Sequence, residues 1–421
     1  MLSTARRAAQ KGGPLEVDHE GRQTDGMSIA YINPAIITWA LERLGIGPDQ
    51  IATTVMPADN IRAWENGESH PTENQAEMLA DKLQIPYLVL FLSDHPPPEK
   101  MPIPDLRTRS GKGIDKPSRE FIGVVNDALS RQDWYREQAQ QSGRQKLSFV
   151  GRFKRTDPVV DVAAHMRSIL KINQDFRQES RNWEQFLRRL ISRVESAGIL
   201  VMRSGVKGHS TRQRLKVEEF QGFALCDPYA PVVFINDTDF RAAQIFTLAH
   251  ELAHIWIGET GISDATLVRN NLTELNQIER FCNQVAAEFL VPEKSFNVSW
   301  QKSRAVKENL QRVSKHFWVS SLVALRRAYD LQRIDYEHFK LESDEEFARY
   351  RASEAKRKKE EVKKKSKGQF WATFKLRNSV LFSDSVAASV RNAKTTYTEA
   401  SGLLGVSIST VERFLRREKA A

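Results

Sequence analysis

The five residues His250-Glu-Leu-Ala-His254 constrain this chain more than any other stretch. Positions four apart share one face of an α-helix, so on a helix the two imidazoles reach a single metal ion. The glutamate between them then stands beside a hydrolytic water and can take its proton. A chain of this length carries His-Glu-x-x-His by chance on the order of once in a hundred cases, so the surroundings must decide. They favour a helix: Arg241–Ala249 contains neither glycine nor proline, and Ile245, Leu248, Leu252 and Ile255 recur at helical spacing. The competing reading is an amphipathic helix whose histidines face solvent or a buried polar partner.

A zinc site built on two histidines needs a third protein ligand and one open position for water. The run Glu279-Arg-Phe-Cys-Asn283 opens a second helical stretch that should stop before Pro292. Glu279 and Asn283 lie four apart on one face, while Phe281, Val285, Phe289 and Leu290 supply packing. Glu279 is assigned as the third ligand, and Asn283 as a group that orients a ligand imidazole. Three competitors are weaker. Glu274 falls in the first turn, where the helix dipole explains a carboxylate. Glu288 is nine residues past Glu279 and points elsewhere. Cys282 reads as a small buried residue rather than a thiolate ligand.

The run Glu218–Asn236 leads into Phe246-Thr-Leu-Ala-His-Glu-Leu-Ala-His254, followed by Glu279-x-x-Cys-Asn283 and Phe289-Leu-Val-Pro292. Together these residues resemble the ImmA/IrrE family of zinc metallopeptidases, closely over roughly 150–300 and more loosely over most of the chain. The resemblance implies a thermolysin-like helix arrangement and an HExxH…E peptidase, with His250, His254 and Glu279 as zinc ligands and Glu251 as the catalytic glutamate. It also implies cleavage of a helix-turn-helix repressor, switching on stress or mobile-element genes. The group that stabilises the oxyanion does not transfer; His209 and Tyr229 are candidates.

At 421 residues the chain should hold two to four domains. Two cysteines, Cys226 and Cys282, are too few for a secreted disulfide framework, which fits a reducing, cytoplasmic compartment. The longest apolar runs, such as Tyr87–Leu92, fall far below a membrane span, and residues 1–26 contain no apolar core of a signal peptide. Residues 1–27 read as a disordered extension, with Met27 as an alternative start. Residues 28–92 read as a compact helical domain. A proline-rich linker follows at 93–118, a metallopeptidase domain at 119–348, and a basic helical region at 349–421. Segments 199–203, 220–225 and 232–236 read as strands, and Phe317–Tyr329 as one packing helix. The expected class is mainly α with a small β-sheet (α+β), whose edge could pair with an extended peptide substrate.

Two segments invite a nucleic-acid reading. Trp64-Glu65-x-Gly67-x-x-x-Pro71-Thr72 resembles repressor-type (XRE-like) helix-turn-helix domains. Yet residues 28–92 carry eight acidic and three basic residues, a net of −5, which opposes phosphate contact and favours a docking or regulatory module. At the other end, residues 351–421 carry 17 basic and 7 acidic residues, a net of +10 equal to the whole-chain excess. The lysine-rich run at 356–367 has the ordinary reading of a solvated helix. Ser401–Arg417 has the small residue, Gly-Val-Ser turn and Thr-Val of a helix-turn-helix, with Arg413, Arg416, Arg417 and Lys419 adding charge to its second helix. If the protein touches DNA, this region is the better candidate. Three readings compete: a zinc endopeptidase acting on a regulatory protein, a DNA-binding regulator with a silent metal site, and an antitoxin-like partner-binding protein. Glu251 favours the first, since a structural site needs no base there.

Overall fold

The computed structural model describes residues 28–420, apart from 45, 84, 95, 97–101, 104–116, 211–212, 264–273, 347 and 350–369. The extension at 1–27, most of the linker at 93–118 and the lysine-rich run at 356–367 lie outside the described residues. The chain forms two compact units, Met1–Glu99 and Lys100–Ala421. No helix among the described residues is long and apolar enough to cross a membrane.

The N-terminal unit is helical: α1 (Pro34–Leu44), α2 (Pro48–Ile51), α3 (Ala58–Glu65), α4 (Glu73–Leu83) and a 3₁₀ turn at Tyr87–Phe91. Ile36, Ile37, Ala40, Ile61, Trp64, Leu79 and Leu83 close its core. The helix ahead of α3 is a single turn, because Pro48 starts it and Ala52 leaves helical geometry at ψ 146°.

The second unit begins with α5 (Arg119–Gln141), α6 (Val159–Ile169), α7 (Gln174–Gln178) and α8 (Trp183–Ser196). It continues through β1 (Leu200–Ser204), β2 (Gly222–Leu225), β3 (Val232–Asn236), α9 (Arg241–Ile257), β4 (Gly261–Ser263) and α10 (Glu274–Leu290). Then come α11 (Glu293–Ser299), α12 (Val306–Phe317), α13 (Ser321–Asp330), α14 (336–346), α15 (Phe370–Asn378), α16 (Val380–Arg391), α17 (Tyr397–Leu404) and α18 (Ile408–Ala420). The molecule is mainly helical with one four-stranded mixed sheet in the order β1-β3-β2-β4, parallel only between β1 and β3.

Every residue of β1, β2 and β3 is buried, which explains why the strands read as continuous apolar runs rather than alternating ones. The pleat sends alternate side chains to opposite layers. Val201, Ala224, Val233 and Ile235 join the core of α8, α9 and α10. Leu200, Met202, Phe223, Leu225, Val232 and Phe234 join α5 and the C-terminal helices. Phe223 stacks on its cross-strand partner Phe234 with ring centroids 5.0 Å apart.

Two expectations need correction. The region set apart at 349–421 is not a separate body among the described residues: Phe374, Phe382, Val386, Ala400 and Phe414 complete the core on one face of the sheet. Charge marks the shift in composition, but the apolar stripe of each helix decides where it packs. The helix expected at Phe317–Tyr329 begins later, at Ser321, and Phe317 instead ends the preceding helix α12. The chain turns at Trp318, which adopts φ 56°, and Ser320 then caps α13 by accepting a hydrogen bond from the Val323 amide.

A shared core predicts a shared transition. Phe382 is fully buried and meets Trp134 edge-on at 5.5 Å. Phe382→Ala should destabilise the unit by about 3–5 kcal/mol. In calorimetry the lowered midpoint should belong to the whole 100–421 unit; a separate early transition of the C-terminal helices would contradict the shared core.

Candidate metal centre

Helix α9 carries His250, Glu251 and His254 on a face that packs on α10 and over β2 and β3. All three side chains are fully buried. Glu279, from the first half of α10, meets them: its two carboxylate oxygens lie 3.2 Å from His250 Nε2 and 3.3 Å from His254 Nε2. The two Nε2 atoms are 3.1 Å apart. Among the described residues these three form the only cluster of His, Cys, Asp or Glu whose donor atoms converge closely enough for a metal ion. Solvent touches the triad only at Glu279, which is 8% exposed, so any open coordination position lies on that side.

Do these residues fit a metal? A tetrahedral zinc ion with nitrogen and oxygen ligands at about 2.0–2.1 Å holds its ligand atoms about 3.3–3.4 Å from each other. The observed separations of 3.1, 3.2 and 3.3 Å sit close to that edge length. Neither Glu279 oxygen accepts a well-formed hydrogen bond, although both are buried. Three lone-pair donors converging on one buried point are what a cation requires.

The donor atoms are held from behind. His250 Nδ1 donates to Asn283 Oδ1 at 2.9 Å, which leaves the Nε2 lone pair facing the triad. Burial alone would push the Glu279 carboxyl up, but the attraction of His250 and the nearness of both imidazoles outweigh it and hold the group at about 2. The carboxylate is therefore ionised throughout the physiological range. For His250, burial opposes the charged form, yet Glu279 and Glu251 turn the balance and raise it. His254 is lowered, with burial the largest cause.

Helix α10 is fixed at its far end as well. Arg167 donates to the Glu288 carbonyl at 2.7 Å, Arg177 to the Leu290 carbonyl at 2.8 Å and Arg327 to the Val291 carbonyl at 3.0 Å. These guanidinium groups satisfy the C-terminal carbonyls of a helix whose partial negative charge attracts them. Glu288 pairs with Arg327 in the same cluster, so it anchors α10 rather than reaching the triad.

Sequence reasoning missed Gly222. A Cβ built there would lie 2.7 Å from Thr247 Cγ2, 2.9 Å from Glu251 Oε1 and 2.9 Å from the Phe234 carbonyl oxygen. Only a glycine in β2 lets α9 come this close with Glu251 seated against the strand. The signal in the sequence is one glycine inside a strand pattern, which identifies no partner.

The remaining candidates lie elsewhere. His209 Nε2 is 3.2 Å from the Leu404 carbonyl and its ring stacks on Phe374, so it serves the C-terminal helices, not an oxyanion. Tyr229 lies in the β2–β3 loop under the Lys146 ammonium at 6.0 Å. Neither forms a hydrogen bond to the triad. Burial pushes the Cys226 thiol up to about 12 and raises Cys282 as well, so both are thiols. Cys226 points its thiol at the His254 carbonyl, 3.5 Å away. Arg413, Arg416 and Arg417 lie on exposed turns of α18, far from any role in the triad's hydrogen bonding; the Lys419 side chain and that of Glu274 are outside the described residues.

With this geometry in view, a comparison with protein families bears on the site. Residues 194–329 match a peptidase family, M78, described as the IrrE N-terminal-like domain. The matched span contains the whole triad and Glu251, and it supports a metallopeptidase-family assignment for that segment. No curated protein matches the chain.

Two substitutions separate the layers of the centre. Asn283→Ala should weaken zinc binding about 10–100-fold by freeing the His250 ring. Gly222→Ala should leave zinc stoichiometry intact while moving Glu251. Equilibrium dialysis against a zinc buffer checks both, and a Gly222→Ala protein that lost the metal would contradict the assignment of this glycine to Glu251.

Proposed function

We propose that the second unit is a zinc-dependent endopeptidase that cleaves a regulatory protein, such as a helix-turn-helix repressor, and so controls stress or mobile-element genes. The observation that carries this reading is the triad of His250, His254 and Glu279 with donor atoms 3.1–3.3 Å apart, and a fully buried Glu251 on the same helix. Zinc held by the triad would supply Lewis acidity toward a carbonyl and make hydroxide available at neutral pH.

The chain's own residues do the rest. Glu251 takes a proton from water at a carboxylate oxygen and returns it to the departing amine nitrogen. Asn283 keeps the His250 ring in the tautomer that leaves Nε2 free. An extended substrate pairs with the outer edge of β4, which ends the sheet and has no strand partner there among the described residues. Gly222, against Glu251, is in register with Ser263 on β4, so that edge runs about 4.8 Å, one strand spacing, from the strand that cradles the base. The amide pairing is indifferent to side chains, which suits a folded regulator opened locally at one segment.

The N-terminal unit is assigned to docking of a protein partner. Arg62, the one arginine on α3, is held by Asp49 at 2.6 Å and Asp59 at 2.8 Å, which removes it from phosphate contact.

The direct test takes as substrate any small helix-turn-helix repressor that sequencing finds encoded beside this gene. Zinc-loaded wild type should cut it into two fragments seen by intact-mass spectrometry. Glu251→Gln should bind one zinc per chain and yield no fragments. Cleavage by Glu251→Gln at the wild-type rate would sink the proposed mechanism.

A further inference from the structure

Helices α17 and α18 take no part in the metal centre. They are joined by three residues, Gly405-Val406-Ser407, with Gly405 in the left-handed region at φ 66° and the Ser401 hydroxyl donating to the Val406 carbonyl. Ala400, Leu404, Val411 and Phe414 face inward, and Phe414 meets Phe374 at 5.0 Å. The outer face of α18 is left to Ile408, Ser409, Glu412, Arg413 and Arg416, all exposed.

Its charges lack the partners that surface arginines usually find. Arg391 and Lys394, at the end of α16 and in the following turn, and Arg413 and Arg416 on α18 have no carboxylate within 4.0 Å among the described residues. Arg391, Tyr397 and Arg416 also line one open groove of about 610 Å³. Two carboxylates share this groove: Glu418, 3.0 Å from the Lys375 ammonium, and Glu412. The contrast with Arg62 of the N-terminal unit, gripped between two aspartates, is direct.

We propose that this helix pair binds duplex DNA, with α18 entering the major groove. Arg391 and Lys394 hold the phosphate backbone, which orients the protein without reading sequence. The first turns of α18 then reach base edges. Ser409 is short enough to admit close approach, Arg413 and Arg416 reach guanine acceptors or phosphates, and Glu412 accepts from a cytosine amino group. Charge complementarity favours nucleic acid over a protein occupant, because the groove is lined by Arg391 and Arg416, neither with a carboxylate within 4.0 Å among the described residues, Lys394 and Arg413 are exposed on the same two helical segments, and one of the groove's two carboxylates is already neutralised.

Fluorescence anisotropy of the full-length chain with a mixed-sequence duplex of about 30 base pairs tests this at about 50 mM salt. Wild type should bind in the micromolar range or tighter. Arg413→Glu with Arg416→Glu should weaken binding at least about ten-fold and lower the slope of log affinity against log salt by about two. Arg391→Glu with Lys394→Glu, on a different turn, should also weaken it, while Arg62→Glu should not. Circular dichroism and zinc content of each variant confirm the fold, and peptidase activity should be unchanged. Duplex affinity within two-fold of wild type in both double variants overturns the proposal. So does a wild type with no duplex affinity, which would leave the groove to a protein partner.

Discussion

The candidate metal centre rests on bringing three lone-pair donors, from His250, His254 and Glu279, to the same buried point. Like-charged or lone-pair groups do not gather in a protein interior unless packing forces them or a cation joins them. Here packing supplies the force. Helix α9 lies over β2 and β3 with no glycine or proline in its span, and α10 crosses it with Glu279 at the meeting place. Arg167, Arg177 and Arg327 hold the far end of α10, so the carboxylate is aimed by groups more than a turn away.

The sheet is the plate on which this is mounted. Both of its faces are covered, one by the helices that carry the His250, His254 and Glu279 cluster and the other by α5 and the C-terminal helices. A residue such as Phe234 therefore stabilises both layers at once: its ring stacks on Phe223 on one side while its carbonyl lies against Gly222 beside Glu251.

Much of this was legible in the sequence because the signals were periodic. The i, i+4 pairs His250/His254 and Glu279/Asn283 announce two helix faces, and the apolar runs at 199–203 and 232–236 announce buried strands. What stayed hidden depends on tertiary contact. Gly222 matters only because Glu251 and Thr247 approach it from another element. Strand β4 has three residues, too few for a pattern. The break at Trp318 sits in a left-handed turn with no glycine or proline to mark it, so the helical period runs straight through. His209 was attractive as a donor by type alone, and its partners, Leu404 and Phe374, are 160 or more positions away. In the C-terminal region net charge hid the apolar stripes that seat it on the sheet.

X-ray absorption at the zinc edge addresses the central claim most directly. The full-length protein should take up one zinc per chain, and the ion's shell should contain four light atoms near about 2.0 Å, with outer-shell scattering from two imidazoles. A shell containing sulfur at about 2.3 Å would bring Cys226 or Cys282 into the site and contradict the His250, His254 and Glu279 assignment.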